Sequence, residues 1–347
     1  MAHTGSQACD QLTLPLAQRW SRDLGAPVSY ALVAGGRVFV TIGASGLTGH
    51  TALVALDEAT GATLWGPITL GGTYWWATAA YDSGRVSAVN VDGLMTAFAA
   101  ADGHILWSHQ MPGQYAFSSA PTASGGTVYV GGAGSGGTVY AVDETDGGVR
   151  WTASVMNGDD SSPALGLGNV YVSYACNQAY AFDAATGAPL WHHSGSCEGG
   201  GGKTTALNRG RVYTRDFDGD LVLDADSGVQ DDSYTSTYIP AFSATSAYYT
   251  TTTVKAVELD GGTLDWTFDA GATTIQTAPI VVGPHVVFGS SDGHVWVVDS
   301  TTGVIVSSAA LSNIRPPDEQ NVAAPLAGFT AADGMLFVPA GNSIVAY

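Results

Sequence analysis

Eleven side chains have types that could bind or react, and none belongs to a pattern repeated elsewhere in the chain: Tyr74, Trp75, Trp76, Tyr115, Phe117, Asp159, Asp160, Lys203, Tyr238, Gln276 and Asn321. Aromatic walls with a few polar groups suit a sugar ring, a planar cofactor or a peptide. Asp159 and Asp160, with Asn157, offer oxygen ligands to a hard cation. The same two carboxylates, with Lys203, could serve glycoside hydrolysis. The blander alternative is that Trp75 or Trp76 plugs a hollow and that Asn157-Gly158-Asp159-Asp160 is ordinary turn chemistry. Both readings stand at this point.

Other groupings carry less chemistry. His192 and His193 are strand neighbours that face opposite sides, so they cannot chelate one ion together. Asp216, Asp218 and Asp220 around Gly219 lack the glutamate of an EF-hand and read as a hairpin turn. The glycine run Gly199 to Gly202 before Lys203-Thr204 has no helix to follow it, as a phosphate loop requires. No catalytic residue and no metal ligand is assigned.

The elements that must position these residues repeat. An acidic residue closes a strand-like run at Asp57, Asp143, Asp183, Asp224, Glu258 and Asp299, with Ala99 and Tyr347 in the same slot, at steps of 34 to 48 residues. That is the period of a four-stranded propeller blade. Four residues later stands Gly61, Gly103, Gly147, Gly187, Gly228, Gly262 or Gly303, where a tight turn needs positive φ and the acid can cap the turn's amides. Eight residues after the acid comes Trp65, Trp107, Trp151, Trp191 or Trp266, replaced by Asp232 and Ser307 in two copies. A tryptophan at a fixed offset is packing, expected to cover the seam with a neighbouring blade.

Upstream of each acid lie an inner run, often opened by Ala-Pro or Ser-Pro, and a second run such as Val128 to Val130 or Val286 to Phe288. There are eight copies. The last reaches Tyr347 with three strands, and Leu16 to Trp20 matches the missing fourth. The sequence therefore predicts an all-β, eight-bladed β-propeller of four-stranded antiparallel blades. A strand at about residues 14–20 closes the ring and removes an exposed edge. Residues 1–13 are expected to be a tail or linker, residues 14–347 a single propeller, and the protein a monomer.

The run Tyr180-Ala181-Phe182-Asp183-Ala184-Ala185-Thr186-Gly187-Ala188-Pro189-Leu190-Trp191 nearly reproduces the motif Val-Tyr-Ala-x-Asp-x-x-Thr-Gly-x-x-x-Trp. On it the chain resembles the PQQ-like, quinoprotein-alcohol-dehydrogenase-like propeller family, over essentially its whole length. The family hosts dehydrogenases, assembly factors, sensors and binding modules, so fold does not decide function. The resemblance implies that chemistry sits on the face bearing the outer-to-inner and second-to-third connections, near the channel. Its PQQ enzymes hold the cofactor under a disulfide of adjacent cysteines, with Ca²⁺ and an Asp base. This chain has no adjacent cysteines, and those catalytic positions cannot be matched residue by residue, so none is carried over. No cofactor is expected, with PQQ and Ca²⁺ kept as alternatives.

Cys176 and Cys197 fall on the same expected face, and a disulfide between them would staple the glycine-rich loop Gly195 to Gly202 and indicate an oxidising compartment. Two small buried hydrophobes are the alternative. Cys9 is left over, as a lipid anchor or a linker thiol.

Composition excludes partners more than it identifies them. A formal net charge of −19, with two lysines, repels nucleic acid and anionic lipid. No apolar run is long enough to span a membrane, and residues 1 to 20 hold no signal-peptide core. The expected location is secreted, periplasmic or cell-surface, with the leader absent from this sequence. Three functions remain: a non-catalytic module binding a protein or glycan, similar to the propeller subunit of the outer-membrane barrel assembly machine; a PQQ- or Ca-dependent oxidoreductase; and a carbohydrate-active enzyme.

Overall fold

The Asp-x-x-Thr-Gly turns form as their residues dictate. Asp57 Oδ1 accepts hydrogen bonds from the Thr60 amide at 2.9 Å and its hydroxyl at 2.6 Å, and Asp183 does the same with Thr186 at 2.8 and 2.6 Å. Asp224 and Asp299 repeat the pattern with Ser227 and Thr302. These bonds favour the ionised form and hold the four carboxyls below their ordinary range. The glycine then takes a left-handed conformation, with φ of 69° at Gly61, 71° at Gly187 and 70° at Gly303.

Six of these turns dock under the tryptophan of the preceding blade. The indole Nε1 donates to the carbonyl just after the turn acid: Trp20 to Glu58 at 2.8 Å, Trp65 to Ala100 at 3.1 Å, Trp107 to Glu144 at 2.9 Å, Trp151 to Ala184 at 3.0 Å, Trp191 to Ala225 at 2.8 Å and Trp266 to Ser300 at 3.1 Å. A Cβ on Gly61, Gly103, Gly147, Gly187, Gly228 or Gly303 would lie 2.5 to 2.7 Å from those rings. The glycine is thus required twice, for its φ and for the ring above it. At Gly262 the preceding blade offers Asp232, and a Cβ there would meet nothing within 4 Å.

The computed structural model describes residues 2–7, 9–43, 50–134, 136–156, 161–195, 202–217 and 219–347. These form eight sheets, seven of four strands and one of five. Blade 1 runs from Leu32–Ala34 through Arg37–Ile42 and Thr51–Asp57 to Thr63–Gly71; blades 2 to 7 follow in chain order with the same inner-to-outer sequence. Blade 8 takes its inner three strands, Thr330–Ala332, Met335–Ala340 and Ser343–Ala346, from the chain's end and its outer strand from Trp20–Asp23. Buried Val, Ala, Leu and Phe from facing blades fill each seam.

Ring closure from the N-terminal side holds, with a shift. The paired strand is Trp20–Asp23 rather than residues 14–20: Trp20 pairs with Ala346 and Asp23 with Ser343. The reason lies in the other blades, where pairing continues after the tryptophan, as from Trp107 to Gln110. Residues 14–16 have another use. Blade 7 has Ser307 in place of tryptophan; there the Leu16 amide bonds Ser307 Oγ at 2.9 Å, and Leu14 and Leu16 pack on the cluster shared with blade 8. The other tryptophan-free seam, between blades 5 and 6, is filled by Tyr213 on Phe242 and Tyr234 on Tyr249, with ring centroids 4.7 and 5.1 Å apart.

The segment expected to be a linker is bound instead. Ser6–Gln7 adds a parallel strand inside blade 7, against Val281 and Val282. The carbonyls of Ala2 and Thr4 accept from Leu207 and Phe242, and Leu12 is buried between blades 7 and 8. Inner-strand edges facing a channel carry unpaired backbone groups, and this segment satisfies part of them.

Candidate functional site

The loop face is built from the connections leading into each inner strand and from the hairpins between second and third strands. Tyr74, Trp75 and Tyr115 lie on it, 56%, 55% and 68% exposed. Two bonds from Thr73, amide and hydroxyl, to Asp92 Oδ2 at 2.8 Å fix the loop that presents Tyr74 and Trp75. Tyr115 lies across Gly134 and donates its hydroxyl to that carbonyl at 2.5 Å. Met156 and Phe217 extend the exposed apolar set, at 58% and 66%.

Trp76 and Phe117 are not part of this surface. They are 1% and 0% exposed and sit in the core between blades 2 and 3 with Met95 and Tyr140. Trp76 stands just before the inner strand Ala77–Asp82 and turns into the seam between blades 2 and 3, while Trp75, one residue earlier in the loop, stays outside it. For these two residues packing is the role.

Residues 311–329, joining the outer strand of blade 7 to the inner strand of blade 8, cross the channel mouth as a strap. Gln276 Nε2 donates to the Ile314 carbonyl at 2.7 Å, and the Arg315 guanidinium donates to the Pro325 and Val28 carbonyls. Glu319 accepts from the Thr204 amide at 2.9 Å and from Arg215 Nη2 at 2.6 Å. Gln320 Nε2 reaches the Gly202 carbonyl, and Val322 packs on the Trp76 and Phe117 cluster. Asn321 bonds Asp318 within the strap. Gln276 and Asn321 therefore anchor and shape the strap.

Arg215 is 1% exposed and Glu319 12%. Burial pushes the Glu319 carboxyl up, but Arg215 and the Thr204 bonds outweigh it and hold it below the usual range. Lys203 lies over the exposed Phe217 ring, its Nζ 5.1 Å from the centroid. Tyr238 is half-buried, and its carbonyl accepts from Ser236 Oγ at 2.7 Å. Asp216 caps the amides of Phe217 and Asn177, the turn role read from sequence. His192 bonds Gln178 and stacks on Tyr180 at 4.2 Å, while His193 faces Gly228, so the two diverge. Asp159, Asp160 and Cys197 lie outside the described residues. Cys176 is buried, and Cys9 is an exposed free thiol.

Arg215, Phe217 and Glu319 escaped the sequence reading as a group. A signal existed, because Arg215 directly follows the second strand Arg211–Thr214 in a chain with 11 cationic residues, but its partner lies 104 residues away.

A family model described as outer membrane protein assembly factor BamB matches residues 3–164 and 135–231. The chain belongs to that family. Among solved structures it is similar to BamB from Moraxella catarrhalis, with TM-score 0.69 and 18% identity over 96% of this chain and 99% of that one. It is also similar to the quinohemoprotein alcohol dehydrogenase from Comamonas testosteroni, with TM-score 0.71 and 14% identity over 95% of this chain and 76% of that one. A computationally designed protein, Ika8, matches at TM-score 0.69 and 16% identity over 94% and 97%. At these identities the structural likeness concerns the fold. No curated protein matches the chain.

The quinoprotein likeness raises the fit of PQQ and Ca²⁺. At the mouth the strap's Glu319 is spent on Arg215 and Thr204. Among the described residues no three His, Cys, Asp or Glu side chains converge as metal ligands. The oxygen donors that the sequence offers to Ca²⁺, Asn157, Asp159 and Asp160, lie outside the described residues.

Proposed function

We propose that this protein is a non-catalytic extracytoplasmic scaffold that docks a protein partner on its loop face, acting as a monomer. The observation that carries the reading is the pairing of a strapped mouth with an unrepeated set of exposed aromatics, Tyr74, Trp75 and Tyr115, on rigidly anchored loops. Exposed aromatic side chains held in place are what interface centres use, since they bury large area at small entropic cost. Membership in the assembly-factor family supports a protein partner over a glycan, and an extracytoplasmic setting. That setting suits a Cys176–Cys197 disulfide, which we infer because, among the described residues, Cys9 is the free thiol. Among the described residues no helix is long and apolar enough to cross a membrane.

The test is site-specific photo-crosslinking in the native host, with a benzophenone side chain at Trp75, at Tyr115 and, as control, at Leu106 on an outer strand. A discrete protein adduct from the first two positions and none from the third is expected. Equal adducts from all three, or none, would remove the docking reading. Adding PQQ with Ca²⁺ tests the oxidoreductase alternative: a thermal shift with dye reduction would replace the scaffold reading.

A further inference from the structure

Below the strap the central channel holds a partly open cavity of about 370 Å³, and Tyr74, Trp75 and Tyr115 do not line it. Its wall is made where the Ala-Pro openings of the inner strands converge, with Ala120-Pro121 and Ala278-Pro279 joined by Leu32, Ile280 and Phe329. Small residues arriving from several blades leave the axis unfilled, and the volume falls in the range of sites for small ligands, roughly 300–1,000 Å³.

The polar groups at its edge are already satisfied. His3 shares hydrogen bonds with Thr122 Oγ1 and the Thr205 carbonyl, both at 3.1 Å, and burial pushes its pKa down to about 4. It is therefore neutral near pH 7. Glu319 is committed to Arg215 and Thr204. Among the described residues no Lys or Arg lines the cavity, so an anion would lack a counter-charge there. Water needs two to four polar partners, which this wall does not supply along its apolar length.

We propose that the channel cavity is a binding site for an uncharged, mainly apolar small molecule. The ligand class differs from the charged quinone of the fold's dehydrogenases, and the site is independent of the loop-face reading.

The experiment titrates N-phenyl-1-naphthylamine, an uncharged fluorophore with one N–H, into the full chain. Saturable, one-to-one emission enhancement is expected, together with a rise in Tm. The sulfonated analogue 8-anilinonaphthalene-1-sulfonate is expected neither to bind this site nor to compete. Gly328 lines the cavity, and a Cβ there would meet nothing nearer than the Tyr30 Cβ at 3.5 Å. Gly328→Leu should fill the space and weaken binding by about tenfold or more, the factor that ~1.4 kcal/mol of overpacking produces. Ala278→Leu fills it from another blade and keeps the test decisive if the first variant does not fold. Leu106→Ser, on an outer strand, should leave binding unchanged. No saturable signal, binding that both fillers leave intact, or preference for the sulfonate would overturn the proposal.

Discussion

At the scale of single residues, the turn glycines separate two costs that usually come together. Gly187 and Gly262 both hold positive φ, 71° and 69°. A Cβ on Gly187 would strike the Trp151 ring at 2.6 Å, whereas on Gly262 it would strike nothing. Gly262→Ala should lose about 1 kcal/mol, the left-handed penalty alone. Gly187→Ala should lose about 1–3 kcal/mol more. Chemical denaturation of the two variants measures the difference, and equal losses would mean that the ring does not hold the turn. Glu144 offers a second test. Burial, with the nearby Asp82 carboxylate, pushes its pKa up to about 7, against partial relief from Arg85. Because the folded value is raised, its contribution is fully present below the unfolded value of 4.5 and is lost as pH rises through about 7. Glu144→Gln should therefore raise Tm at pH 8 and change it little at pH 5. A gain confined to acid pH would contradict the assignment.

At the scale of elements, what repeats was legible and what does not repeat was not. Asp, Gly and Trp at fixed offsets identified most blades, since each satisfies a local demand: a capped turn, a positive φ, a covered seam. Even the replacements Asp232 and Ser307 marked the seams that other side chains fill. The strap and the channel strand carry no such period. Glu319 meets Arg215, and His3 meets Thr205, only because the closed ring brings distant segments to one axis. Trp75 and Trp76 show the limit within a single loop: sequence named the loop, but which ring turned inward depended on the seam between blades 2 and 3. The strap itself can be probed through its buried pair. Glu319→Gln leaves the Arg215 charge unpartnered and should cost about 3–5 kcal/mol, while Arg215→Met with Glu319→Leu should recover most of that loss. Since the folded carboxyl lies low, the pair's contribution is present above the unfolded value of 4.5 and lost as pH falls through the folded one. Urea midpoints of the three proteins across acid pH would show it, and a double variant no better than the single one would deny the pairing.

At the scale of the whole molecule, the N-terminal segment performs two separable jobs, and truncation can tell them apart. Residues 2–7 lie in the channel, where they pair with one inner strand and cap amides of two neighbouring blades. Removing them unpairs backbone groups that channel water can reach, so the ring should stay closed, monomeric and only modestly less stable. Removing residues 2–23 also takes away Trp20–Asp23 and with it the outer strand of blade 8. That bares the edge of Ser343–Ala346, unseats the Trp20 ring from Gly61, and leaves the seam between blades 8 and 1 without its hydrogen bond to Glu58. An exposed, apolar strand edge is a template for pairing with another chain. The longer truncation should therefore aggregate or dimerise where the shorter one does not, as light scattering at matched concentrations would record. If both remain monomeric with similar unfolding midpoints, closure does not depend on the shared blade, and the seven other tryptophan, tyrosine and leucine seams suffice to hold the ring.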